Sequence, residues 1–239
     1  MSLTARIVGV FHRPRATFSN IASAPAWLPV LVLTTVVMFG SSAGFLATSI
    51  GRQALVDQWE RTATAFGQRI DDAQYAAMEA RAASGIPSLE YAVVTALLSG
   101  PMLAFALSAA LFALLNRKDA ETNAMPRASY TQVLSIVCYA GVILALRQLV
   151  AAPVDYMRET IASPTSIVQF FTMLDEASPV ARFLGVVDLF VIWWLVVLAT
   201  GMSVLYQRRT HRLALMFTGA YLAIALLAAL VMAASGGTT

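Results

Sequence analysis

Long apolar runs alternate along this chain with shorter, arginine-bearing polar segments. Five runs stand out: Trp27–Thr48, Leu89–Leu115, Tyr130–Ala152, Phe183–Tyr206 and Leu213–Ala234. A helix rising about 1.5 Å per residue needs about 20 apolar residues to cross a hydrocarbon core ~30 Å thick. Every run reaches that length, so the pattern predicts five transmembrane helices. Strict apolar–polar alternation, the mark of a barrel strand, does not recur. The expected fold class is therefore all-α, a polytopic membrane helical bundle. It comprises an N-terminal segment, 1–25, and a five-span membrane domain, 26–239.

The segments between the runs are patterned too. In "MSLTARIVGVF", Leu3, Ile7 and Phe11 fall at helical spacing with Arg6 off their stripe. Two readings fit this segment: a helix lying on the inner leaflet with arginines near anionic headgroups, or a helix packed on the bundle. Pro14 should break it, and "PAWLP" (25–29) should deliver Trp27 to the membrane interface. In 51–86, Leu55, Trp59, Phe66 and Ile70 recur at roughly helical intervals, which predicts one or two amphipathic helices. The 153–182 connection, rich in proline and acids, reads as short helix and loop. The first run reads as an uncleaved span. About 25 residues with three arginines precede it, longer than a signal-peptide n-region, although "SSA" (41–43) has cleavage-site character.

Composition sharpens this. The chain is 59% apolar and 12% charged, where soluble domains carry about 25% charged residues. Charge also sets an orientation. Arg6, Arg13 and Arg15, then Arg117, Lys118 and Arg127, then Arg208, Arg209 and Arg212 fall on one side of a five-span chain, diluted only by Asp119 and Glu121. The opposite side carries Arg52, Arg61, Arg69, Arg81, Arg158 and Arg182 among many acids. The positive-inside rule then gives a cytoplasmic N-terminus, an external C-terminus and an external helical 51–86 loop. Arginine outnumbers lysine 15 to 1 and alanine is abundant, which hints at a GC-rich bacterial genome and a multi-pass protein of the inner membrane. The one cysteine, Cys138, lies within the third run, so no intrachain disulfide forms.

Chemistry-bearing motifs are scarce. His12 and His211 stand beside arginines with no Cys, His or carboxylate at ligand spacing, so no metal site is expected. No catalytic signature or phosphate-binding glycine loop is present, and the basic residues flank membrane spans without forming a nucleic-acid stripe. No enzyme activity and no cofactor are expected. Two backbone features remain. "GSSAG" places Gly40 and Gly44 at the G-x-x-x-G spacing that lets a second helix approach closely. "SGP" places Gly100 and Pro101 inside the second span, with Ala104 and Ser108 on the same face, which predicts a kink. Kinked helices also form transporter sites, though a kinked packing helix is the plainer reading.

Two charges stand several residues deep inside apolar runs. A central arginine costs a membrane helix roughly 2.5–3.5 kcal/mol on insertion scales, so Arg147 needs compensation. It lies five residues before the end of the third run, and Asp188 lies five residues after the start of the fourth. On antiparallel spans both would sit roughly 7–8 Å below the same boundary. An ion pair is the simplest reading. The alternative has Arg147 snorkelling outward alone while Asp188 faces an aqueous vestibule.

Three stretches resemble bacterial Yip-domain proteins, the Ypt/Rab-interacting-protein-like family. These are "FHRPRATFSNIASAPAWLPVL" (11–31), "SYTQVLSIVCYA" (129–140) and "VDLFVIWWLVVLATGMSV" (187–204), the last with an aspartate followed by aromatic residues and tryptophan. The resemblance implies five spans with a cytoplasmic N-terminus, and it matches Asp188 but not Arg147. Eukaryotic members are associated with small GTPases and vesicle traffic. Some bacterial members are linked to ABC exporters as accessory subunits. This chain lacks the D-L-Y-G-P type segment and reads "CYAGV" where a proline often follows the tyrosine, so GTPase binding is not carried over. Two functions stay open from sequence. One is a non-enzymatic accessory or assembly subunit contacting the bilayer and other integral membrane proteins, or itself. The other is a small transporter or lipid-handling protein, with its path near the kinked second span and the Arg147–Asp188 pair.

Overall fold

In the computed structural model of the protein, residues 1–65, 67–116, 128–161, 164–171 and 179–236 are described. Phe66, the charges at Arg117, Lys118 and Arg127, the middle of the 153–182 connection and the last three residues lie outside them. Five helical stretches are long and apolar enough to cross a membrane: Leu28–Leu46, Ile86–Leu115, Tyr130–Arg158, Leu189–Tyr206 and Thr210–Val231. Many of their large apolar side chains are exposed, among them Val36, Leu98, Phe105, Leu149, Ile224 and Leu227. That suits a surface facing lipid and would be costly in water. Among the described residues no strand forms, only an isolated bridge between Ser166 and Asp188. The protein is an all-α polytopic membrane protein.

The chain divides into two units. The first comprises Met1–Val37, Leu97–Leu146 and Ile192–Gly219. Helix α1 (Leu3–His12) is capped by Ser2, whose side chain accepts from the Ala5 amide, and α2 (Pro14–Ser23) restarts with proline at its first turn. Proline has no amide to lose there and its φ is already helical. Both helices pack on α8 (Tyr130–Ala140). Arg6 is buried and not displayed to a headgroup layer. Its Nε donates to Asn20 Oδ1 at 3.1 Å, its Nη1 to the Ala24 carbonyl at 3.0 Å, and its guanidinium lies 6.0 Å from the Tyr139 ring centre. Of the two readings of the N-terminal segment, packing on the bundle is the one that the structure contains. Ser129 and Gln132 form a reciprocal capping box at the start of α8, and Gln132 Nε2 ties it to the Ala22 carbonyl at 2.8 Å.

The second unit comprises Met38–Ala96, Arg147–Val191 and Ala220–Thr239. It holds the end of α3 (Leu28–Leu46), then α4 (Ser49–Ala65), α5 (Asp72–Ala83) and most of α6 (Ile86–Leu97). Asp71 and Gln74 start α5 with a second capping box. Phe45, Leu46, Ala54, Leu55 and Ala92 form a buried apolar cluster, with Trp59 packed against it. The expected stripe in 51–86 holds for Leu55 and Trp59, but Ile70 lies beyond the end of α4. The connection after the third span differs from expectation as well. Helix α9 (Val142–Arg158) continues through Pro153, so the turn beyond Ala152 belongs to the span and not to the loop.

The fourth run is not one helix. Helix α10 (Pro179–Val186) stops, Val187 and Asp188 are non-helical, and α11 (Leu189–Tyr206) begins. The break is held by the 165–167 segment: the Ile167 amide donates to the Val187 carbonyl at 2.8 Å and the Leu189 amide to the Thr165 carbonyl at 3.1 Å. Backbone groups freed by the break are thereby satisfied, as burial in an apolar setting demands. The chain closes with α12 (Thr210–Gly236).

Candidate functional site

Asp188 stands at the first position before α11, with extended backbone behind it and an apolar run ahead. That is the position of a helix cap, where a short carboxylate accepts from the first free amides. Its Oδ1 accepts from the Phe190 amide at 2.8 Å and the Val191 amide at 3.4 Å. Its Oδ2 accepts from Arg147 Nε at 2.7 Å and Thr165 Oγ1 at 2.6 Å. Its own amide donates to Tyr221 Oη at 3.0 Å, and that hydroxyl donates to the Val186 carbonyl at 2.8 Å. The carboxylate is therefore a node joining α9, the 165–167 segment, α11 and α12. The Asp188 side chain is 6% exposed and that of Arg147 25% exposed, so the pair sits at the edge of the protein interior. The node includes Thr165 and Tyr221, neither of which the pattern of the sequence singles out.

Beside Arg147 lies a cavity of about 260 Å³ within the second unit. Its polar wall is made by Ser42, Gln58, Tyr91, Thr95, Arg147, Gln148 and Asp155. Gln148 Nε2 donates to Ser42 Oγ at 3.1 Å, and Gln58 Nε2 donates to Tyr91 Oη at 3.3 Å. Asp155 differs from these. It is 8% exposed, and its Oδ1 is buried without a hydrogen-bond partner among the described residues. In sequence Asp155 falls in the 153–182 connection, which reads as short helix and loop. The continuation of α9 brings it into this wall instead.

The other expected residues fall elsewhere. Gly40 and Gly44 lie exposed on α3, and a Cβ built on either would meet none of the described residues within 4 Å. Gly100 and Pro101 lie in a π turn, Leu98–Met102, between α6 and α7 (Leu103–Leu115). A wider turn accommodates a proline that cannot donate to the helical ladder. Gly100 is buried, and a Cβ there would stand 2.8 Å from Thr35 Oγ1. Neither Gly100, Pro101 nor Asp188 lines the cavity. His12 ends α1 and His211 lies in the first turn of α12. The structure thus brings Arg147 to Asp188.

The sequence pattern of the Yip1 domain matches residues 8–232, nearly the whole chain. No curated protein and no solved structure matches it.

Proposed function

The chain belongs to the Yip1-domain family of membrane proteins, and from that premise we propose that it is a non-enzymatic accessory or assembly subunit. It works by helix–helix contact with other integral membrane proteins, an exporter complex being one setting, or with further copies of itself. The observation that carries this reading is the open face at Gly40 and Gly44: the two glycines are exposed and none of the described residues stands over them. In lipid, helices gain little from expelling apolar surface. They associate by close backbone packing, which small residues at this spacing permit. The orientation that goes with this function is a cytoplasmic N-terminus and an external C-terminus in a bacterial inner membrane, supported by Arg6, Arg13, Arg15, Arg208, Arg209 and Arg212 in short segments that carry no acid. The transporter reading joined the kinked second span to the Arg147–Asp188 pair. It is the weaker one, since the cavity takes Arg147 but not Asp188, Gly100 or Pro101.

Gly40→Leu and Gly44→Leu test it. Each adds bulk to the open face while keeping the span apolar. Both variants should insert and melt like the parent, yet lose a complex seen on native gels and in pull-downs from solubilised membranes. A well-folded variant that keeps every partner removes this face from the function.

A further inference from the structure

The cavity wall carries one carboxylate, Asp155, whose buried Oδ1 no described hydrogen-bond donor meets. A carboxylate can only accept, and leaving it buried without donors is costly. The guanidinium in the same wall is paired with Asp188, while Arg147 and Arg158 reach Asp155 only through space. An occupant that brings N–H or O–H donors therefore completes this wall, and a cationic one also pairs with the carboxylate. A divalent metal is disfavoured, because hard cations take six or more oxygen ligands, several of them anionic. Among the described residues no group of three His, Cys, Asp or Glu stands together. Apart from Thr95, the rest of the wall is apolar, with Phe45, Leu46, Ala151, Ala152, Ile161 and Pro164. Ala152 and Ile161 also pack on the buried cluster of the second unit. The volume is just below the roughly 300 Å³ at which pockets for drug-sized ligands begin, which suits a small molecule.

We propose that this cavity binds a small organic ammonium compound, its charged nitrogen on Asp155 and its short alkyl body against Phe45, Leu46 and Ile161. Gln148, Gln58 and Tyr91 are placed to accept or donate to polar groups beside that nitrogen. This site goes beyond the proposed association and does not depend on it, since neither Gly40 nor Gly44 lines the cavity.

The test is titration calorimetry of the full chain in lipid nanodiscs, with butylammonium chloride as the probe and sodium chloride and n-butanol as comparisons. The parent should show saturable binding of butylammonium alone. Asp155→Asn keeps the shape and removes the charge, and should weaken binding at least about tenfold, the scale of one lost charge-assisted hydrogen bond. Ala152→Leu keeps the charge and fills the space, and should weaken it comparably. Neither variant should lose the complex that Gly40→Leu and Gly44→Leu disrupt, so a failure here is separate from a failure of the association. The proposal is overturned if the parent shows no saturable binding, if butanol or sodium chloride gives the same saturable signal, or if both variants bind as the parent does.

Discussion

Asp188 caps the start of α11 and holds a cation, so its removal should cost more than removal of its partner. Arg147→Ala takes away the charge-assisted hydrogen bond to Asp188 Oδ2, such a bond being worth about 1.5–3 kcal/mol. It leaves Asp188 with Thr165 and two backbone amides. Asp188→Ala removes the pair, the Thr165 acceptor and the α11 cap, the last worth about 1 kcal/mol more. Thermal unfolding in detergent should rank Asp188→Ala below Arg147→Ala, with the double variant losing less than the sum of the singles. Additive losses would mean that the two side chains do not act on each other. The meeting of these residues could be read from two opposite charges in adjacent apolar runs, each needing compensation. Thr165 and Tyr221 could not, because a hydroxyl brought in from a distant segment leaves no periodic signal. Asp155 was hidden because the third run ends at Ala152 by apolar pattern, whereas α9 continues through Pro153 to Arg158.

Breaks and close approaches, more than helix lengths, distinguish the elements. Four of the expected spans match continuous helical stretches to within a few residues at most of their ends, since the apolar runs themselves set those lengths. The fourth departs because Asp188 has two roles in one sequence position. An aspartate before "LFVIWWL" reads equally as an intramembrane charge or as a helix cap, and the 165–167 segment that secures the cap is not predictable from local pattern. The π turn at Leu98–Met102 gives a prediction of its own. Gly100→Ala should lower stability by about 1–3 kcal/mol, the usual cost of forcing a methyl into a filled site, because its Cβ would press on Thr35 Oγ1. Thr35 Oγ1 is buried and has no hydrogen-bond partner among the described residues, so Thr35→Ala sacrifices no described bond. Combined with Gly100→Ala it should recover most of the loss. Equal instability in the single and double variants would show that the glycine serves the turn and not the approach.

For the whole molecule, the all-helical class and number of spans were legible because membrane length and backbone hydrogen bonding leave few alternatives to an apolar 20-residue run. The division into two units was not, since it cuts every span partway along and follows packing that no run of residues announces. Orientation is tested by reporters: one fused after Thr239 should read outside the cytoplasm, and one inserted near Thr210 inside. A cytoplasmic C-terminus would contradict the five-span orientation. The central claim is that the protein acts by association and has no turnover of its own. Affinity purification of the tagged full chain from gently solubilised native membranes tests it most directly. The account predicts a stoichiometric complex with another integral membrane protein, or a defined homo-oligomer, that dissociates in Gly44→Leu. A monomer with no partner that by itself moves a substrate across liposomes would contradict it.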